Sequence, residues 1–195
     1  MTYWHEIDSP IGPLLLAGTA QALTCVHFQS GPQPLRPPNT WRHAMAPFER
    51  VRMQLMEYFG GARRSFQLPL APSGTPFQLA VWQALCAIPY GETVSYGELA
   101  QRLGLTAGAR AVGVANGANP LPIVVPCHRV IGADGTLTGF GGGLHIKRSL
   151  LALEGAACVV DLFAAEERAG LVRRAAAADS SRRGGRRRSQ GGRAG

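Results

Sequence analysis

Three prolines, Pro120, Pro122 and Pro126, bracket the apolar run 123–125 in the stretch "NPLPIVVPCHRVIG", residues 119–132. Proline lacks an N–H and fixes its own φ, so no regular helix or long strand can pass through this segment. The run reads as a short buried strand that Pro126 ends. It delivers a cysteine, a histidine and an arginine side by side, Cys127, His128 and Arg129. Adjacent side chains on an extended chain point to opposite faces, so Cys127 and His128 do not meet directly as nucleophile and base. A sharp turn or a bridging water is needed. A thiol is mostly protonated at neutral pH and becomes reactive only with a partner that takes its proton. His128 is the base at hand, and it needs a carboxylate to orient it and to stabilise its charged form. Glu154, an isolated acid in the apolar segment "SLLALEGA", is the candidate. The competing reading of Glu154 is a surface residue at a helix end.

The rest of the chain divides at residues 60–74, "GGARRSFQLPLAPSG", where apolar periodicity stops. Before that break, "PLLLAGT" and "ALTCVHF" flank a short turn at Ala20 and Gln21 and read as a β-hairpin, with "YWHEI" as a third strand. Residues 29–39 hold four of the fourteen prolines and predict a loop. Phe48, Val51, Leu55, Met56 and Phe59 follow helical spacing over residues 47–59. Past the break, Thr75 and Pro76 predict a helix start, with Phe77, Val81, Trp82 and Leu85 on one face. Ser95 and Glu98 form a capping box for "YGELAQRLGL", in which Leu99 and Leu103 mark the buried side and Gly104 ends the helix. A further helix through "ARAVGVANGAN" stops at Pro120. Two short helices joined by a brief turn have the form of a helix-turn-helix, although such pairs also occur without DNA binding. The second carries Ala111, Gly113, Ala115, Gly117 and Ala118, and glycine is a poor helix former. Close packing inside the protein and close approach to a nucleic-acid groove, with Arg110 at the helix start, both account for them.

Charge narrows the partners less than its total implies. The formal net charge is +8, but residues 168–195 hold nine Arg and one Asp, which leaves eleven basic and eleven acidic residues ahead of them. That terminal stretch lacks apolar periodicity and reads as a disordered tail with weak, salt-sensitive attraction to phosphate. Four well-separated cysteines, Cys25, Cys86, Cys127 and Cys158, show no CxxC spacing and argue for reduced thiols rather than a disulfide frame or zinc ribbon. Cys25 and His27 are the nearest approach to a metal pair, and two ligands do not make a structural zinc site. With no charged leader before a long apolar segment and no stretch of membrane-spanning length, a cytoplasmic protein is expected.

"PCHRVIG", preceded by "NPLPIVV" and followed by "GGGLHIKRSLLALEGA", resembles the active-site region of the O6-alkylguanine-DNA alkyltransferases, or methylated-DNA–protein-cysteine methyltransferases. The similarity continues through "GTPFQLAVWQALCAIPYGETVSYGELAQRLG" and "ARAVGVANGANP", and more weakly to "DSPIGPLLLAGT", so it spans about residues 1–156. The resemblance implies direct-reversal DNA repair. The alkyl group of O6-alkylguanine, and of O4-alkylthymine, would pass irreversibly to Cys127 in a single turnover, after the base is flipped out of duplex DNA. It implies that His128 acts through water as the base, that Glu154 holds His128, and that Asn119 braces the turn that aims the thiol. Tyr96 would help rotate the nucleotide and donate a hydrogen bond to the guanine ring. Arg110 would fill the vacated stack while Ala111 and Gly113 approach the minor groove. Backbone groups of Cys127 and Val130 would read the exocyclic amine, and Phe140 and Gly141 would line the alkyl pocket. Arg129 would be a structural hydrogen-bonder.

The implied architecture is α+β: a small N-terminal β-sheet with a helix, ribonuclease-H-like by resemblance, over residues 1–73. A mainly helical C-terminal domain with the helix-turn-helix follows over residues 74–160, and an Arg/Gly-rich tail over 161–195. No metal or organic cofactor and no membrane partner is implied, and the protein is expected to act as a monomer, with cooperative assembly on DNA left open. Two positions depart from the family pattern. Phe140 stands where many members have Tyr, and Gly141 where some carry a hydroxyl, which predicts tolerance of alkyl groups larger than methyl. The competing functions are a relative that recognises alkylated DNA without repairing it, which would lack the acceptor cysteine, and a Cys-His hydrolase, which would leave the helix pair unexplained.

Overall fold

Strands β1 (Tyr3–Ile7), β2 (Leu14–Gly18) and β3 (Leu23–Phe28) form an antiparallel meander, and a two-residue strand β4 (Arg42–His43) adds parallel to β1, giving the order β3-β2-β1-β4. The computed structural model describes residues 1–31 and 33–157. The expected tail over 161–195 lies outside the described residues. β2 is buried along its whole length, as the uninterrupted run "LLLAG" requires of a central strand covered on both faces.

Helix α1 (Glu49–Phe59) packs its Val51, Leu55 and Tyr58 inward. This face is rotated from the one expected: Met56 is exposed and Phe59 half-buried, whereas Tyr58 and Gln54 are buried. Gln54 holds the segment after the helix through a reciprocal pair of bonds with Gln67, at 2.8 and 3.1 Å. Polar atoms satisfied in this way tolerate burial.

Helix α2 (Pro76–Cys86) begins at Thr75, whose hydroxyl accepts from Gln78 N–H while the Gln78 side chain accepts from Thr75 N–H. Val81, Trp82 and Leu85 are buried, but Phe77 lies at the exposed start of the helix, 37% exposed, so it leaves the expected core face. Helix α3 (Tyr96–Arg102) has the Ser95–Glu98 capping box, and Gly104 beyond it adopts φ +75°. Helix α4 (Ala109–Gly117) packs on α2 and α3. A second sheet joins β5 (Val94–Ser95) in parallel to β6 (Val130–Ile131), and α5 (Leu144–Leu153) completes the described chain.

Residues 123–125 correct the sequence reading: they form no strand. Pro122 and Val125 bridge to each other across a tight turn, with Val125 N–H donating to Leu121 O at 2.8 Å. Pro120, Pro122 and Pro126 remove so many backbone donors that a ladder cannot run through the segment. The turn places the β-branched Ile123 at φ +75°, a conformation that costs on the order of 1–3 kcal/mol and that burial of Ile123, 1% exposed, holds in place. Residues 1–157 form one compact unit in which the parts on either side of residue 74 are joined by Val26 N–H donating to Pro120 O at 2.8 Å. No helix among the described residues is long and apolar enough to cross a membrane.

Candidate active site and nucleic-acid interface

Pro126 ends the turn and Cys127, His128 and Arg129 follow as one turn of 3-10 helix, all three buried. This is the sharp bend that sequence neighbours need in order to serve one site. Asn119 holds the bend from the other end of the segment: its Nδ2 donates to Val125 O at 2.9 Å and its Oδ1 accepts from Leu121 N–H at 3.0 Å. Asn116, on α4, donates from Nδ2 to Cys127 O at 3.4 Å. Burial pushes the Cys127 thiol up to about 11, against a hydrogen bond from Asn119 and the charge of Lys147, which act in the opposite direction. Alone, this thiol stays protonated at neutral pH.

Glu154 is 6% exposed at the end of α5, so the surface reading of it fails. Its Oε1 accepts from His128 Nε2 at 2.9 Å, from an Arg129 terminal nitrogen at 2.9 Å and from the Tyr58 hydroxyl at 2.7 Å. Its Oε2 accepts from Arg129 Nε at 2.8 Å and from Gly91 N–H at 3.2 Å. Gly91 sits at φ +80°, and a Cβ there would lie 2.8 Å from Glu154 O, so only glycine brings its N–H this close. Burial alone would raise Glu154, but the hydrogen bonds from His128 and Arg129 hold it well below the usual carboxylate range. A carboxylate so held can only accept, which places the proton of a neutral His128 on Nε2 and the lone pair on Nδ1. Burial keeps His128 below its ordinary value despite the pull of Glu154, and Arg129 already balances the carboxylate charge. His128 Nδ1 is buried with no hydrogen-bond partner among the described residues. It is a buried base whose lone pair no described residue engages.

Cys127 opens onto a cavity of about 260 Å³ with Asn116, Asn119, Phe140 and Gly141 on its walls. Val26, His27 and Phe28 of β3 supply the opposite wall, and the Phe28 and Phe140 rings lie 5.5 Å apart. Val130 does not reach this cavity. It is fully buried in β6, its N–H donates to Cys127 O and its carbonyl accepts from Lys147 Nζ at 2.6 Å. Tyr96 also lies off the cavity wall, half-buried at the first turn of α3 beside α4.

The outward face of α4 carries Arg110, Ala111, Val114 and Gly117, all exposed, with Val114 at 69%. A Cβ on Gly113 would meet Tyr96 at an ordinary 3.7 Å, and one on Gly117 would meet nothing within 4 Å among the described residues. Packing inside the protein therefore requires glycine at neither position.

Sequence reasoning missed Tyr58, Gly91, Lys147 and Asn116. Tyr58 follows Val51 by seven positions and Leu55 by three, which puts it on the buried stripe of α1. Lys147 precedes Glu154 by seven on the face of α5 that Leu150 and Leu151 bury, a pair of opposite charges on an apolar stripe. Those two were legible; the Gly91 and Asn116 contacts depend on tertiary placement. Among the described residues no cluster of three or more His, Cys, Asp or Glu could hold a metal ion.

Comparison with known proteins follows the same division. The family model described as 6-O-methylguanine DNA methyltransferase, ribonuclease-like domain, matches residues 2–72, and that described as 6-O-methylguanine DNA methyltransferase, DNA binding domain, matches residues 76–156. The methylated-DNA–protein-cysteine methyltransferase of Methanosarcina acetivorans is 50% identical over 154 residues, 79% of this chain and 99% of that protein. That of Mycobacterium tuberculosis is 50% identical over 163 residues, 83% of this chain and 98% of the relative. The crystal structure of the M. tuberculosis O6-methylguanine methyltransferase superposes with a TM-score of 0.74 at 51% identity, covering 80% of this chain and 93% of that one. The M. tuberculosis protein in complex with DNA gives 0.74 at 48% identity, covering 83% and 99%. The chain belongs to the 6-O-methylguanine DNA methyltransferase family.

Proposed function

We propose that this protein repairs alkylated DNA by direct reversal, taking the alkyl group of O6-alkylguanine, and of O4-alkylthymine, onto Cys127 once and irreversibly. The observation that carries the reading is the buried Cys127 at the wall of a cavity, next in sequence to a neutral imidazole that Glu154 orients. His128 Nδ1 takes the thiol proton through one water. The sulfur attacks the alkyl carbon, the carbon–O6 bond breaks, and its electron pair stays on the departing guanine, which is reprotonated from a donor such as the Tyr96 phenol. A thioether is stable to water, and among the described residues no second thiol lines the cavity to release it. The protein ends as a spent alkyl-cysteine.

A stacked base cannot bring its O6 substituent to the thiol of a cysteine that is only 4% exposed as a residue, so the nucleotide has to leave the helix at a cost of a few kcal/mol. The smooth outer face of α4 fits the narrow minor groove, Arg110 fills the vacated place in the stack, and Tyr96 steers the rotating nucleotide. A functional division at residues 73 and 74 assigns the DNA face to the second part, while the first closes the cavity with Phe28 and anchors Glu154 through Tyr58. Gly141 leaves open space beside Phe140, which supports reaction with groups larger than methyl. The protein acts as a monomer in the cytoplasm, where its DNA substrate is at hand.

The test is stoichiometry. A duplex carrying one O6-methylguanine, supplied in tenfold excess, should be repaired to one equivalent of protein and no further. Continued turnover would remove the single-use reading, and absence of repair would remove the activity.

A further inference from the structure

Gln29 is a polar side chain that the mechanism above does not use, and it grips the chain with both ends of its amide. Its Oε1 accepts from Leu35 N–H at 2.9 Å and its Nε2 donates to Leu35 O at 3.1 Å, so one side chain takes both backbone groups of a residue six positions on. An N–H only donates and a carbonyl only accepts, which fixes the orientation of the amide. His27 Nδ1 therefore donates to Oε1, at 3.2 Å, and Nε2 also reaches Glu6 Oε2 of β1 at 3.2 Å. Gln29 directly follows β3, and its own N–H donates to Pro13 O at 3.0 Å. These bonds close a loop between residues 29 and 35, in which Gly31 and Pro34 favour turns over a helix or strand.

That loop brings Gly31 and Gln33 to the wall of the cavity of about 260 Å³ that Cys127, Phe140 and Gly141 also line. Other parts of the wall rest on elements with bonds of their own: Phe28 lies in β3, Asn116 in α4, and Lys147 Nζ holds Thr138 O at 2.8 Å two residues ahead of Phe140. Gly31 and Gln33 lie inside the loop that the Gln29 amide closes. A surface loop released from such bonds samples a wider range of positions, and a cavity bounded by it widens. We infer that Gln29 is a positioning residue that limits the size of alkyl group the cavity admits, through its hold on Leu35 and with it on Gly31 and Gln33. The first part of the chain thereby takes a share in choosing the lesion, although it holds neither the acceptor cysteine nor the helix pair. This rests on the alkyl-transfer reading above.

Two substitutions of opposite sign isolate the effect. Single-turnover rates would be measured on matched duplexes carrying O6-methylguanine or O6-benzylguanine. Gln29→Leu removes both bonds to Leu35 at similar side-chain size, and Gly31→Leu adds bulk to the wall. A Cβ on Gly31 meets only Phe28 O within 4 Å among the described residues, at an ordinary 3.8 Å, so the position accepts a side chain. Relative to the unmodified protein, the benzyl-to-methyl rate ratio should rise roughly fivefold in Gln29→Leu and fall roughly fivefold or more in Gly31→Leu, since one methylene in an apolar pocket is already worth about tenfold. If the unmodified protein excludes the benzyl group, benzyl transfer gained in Gln29→Leu is the same result. Because each ratio compares two substrates on one protein, a general loss of activity cancels. Gln29→Ala carries the comparison if the leucine variant does not fold. A ratio within about twofold of the unmodified value at either position, or a shift of the same sign at both, would overturn the assignment. Failure of the unmodified protein to alkylate Cys127 with the methylated duplex would overturn the repair reading itself, a distinct outcome.

Discussion

The surroundings of Glu154 and the outer face of α4 solve opposite problems. Around Glu154, Tyr58, His128, Arg129 and Gly91 all point their donors at one carboxylate, and the ring of bonds is closed on every side. Along α4, exposed small residues and Val114 leave a surface with almost nothing protruding except Arg110. The first region works because its polar atoms are matched, and the second because side chains are missing. A buried charge without its partners costs several kcal/mol, whereas a surface shaped for a groove loses fit when something is added. Substitution by a smaller residue should therefore damage the first region, and substitution by a larger one the second.

The largest effect is expected at the acceptor. Cys127→Ser should abolish alkyl transfer, read by retention of the lesion, while binding to alkylated duplex persists. Next, Glu154→Ala leaves His128 and Arg129 buried without their carboxylate and should cost about 3–5 kcal/mol in denaturant unfolding. Tyr58→Phe removes one bond to a charged acceptor and should cost about 2 kcal/mol, which would show that residues before the break support the site after it. Gly117→Leu should leave stability unchanged or raise it by up to about 1 kcal/mol, because a Cβ there meets nothing within 4 Å among the described residues, yet weaken DNA binding roughly tenfold in a fluorescence titration. If it unfolds the protein instead, the contrast between the two regions is lost.

The smallest effect is on pH dependence. His128 is held below its ordinary 6.5 in the folded protein, so the unfolded chain binds more protons as pH falls through that value and stability should drop on the acid side. Cys127, raised from 9.0 to about 11, has the opposite sign: its contribution is complete below 9.0 and is lost as pH rises towards 11. Thermal melts across this range should show a plateau with both shoulders, and the acid shoulder should shrink in His128→Gln.

Much of the fold could be read from local signals. The Thr75 and Ser95 caps, the hairpin of β2 and β3, and the Gly104 stop all act within a few residues, where propensity and capping decide. Residues 123–125 misled because an apolar β-branched run normally extends, and here three prolines removed the donors that a strand would use. The sequence motif named Cys127, His128, Asn119 and Glu154, but not the reason His128 stays neutral, which is its complete burial, helped by Arg129 sharing the same carboxylate. Tyr58 is 96 positions from Glu154, a pairing that no local pattern announces.

Intact-mass and peptide-mass measurement after mixing the protein with a duplex that contains one O6-methylguanine tests the transfer to Cys127 most directly. One added methyl on the Cys127 peptide, matched by an equal amount of restored guanine, is the predicted result. Tight binding of the lesion with Cys127 unmodified would contradict it and make the protein a reader of alkylated DNA rather than its repairer.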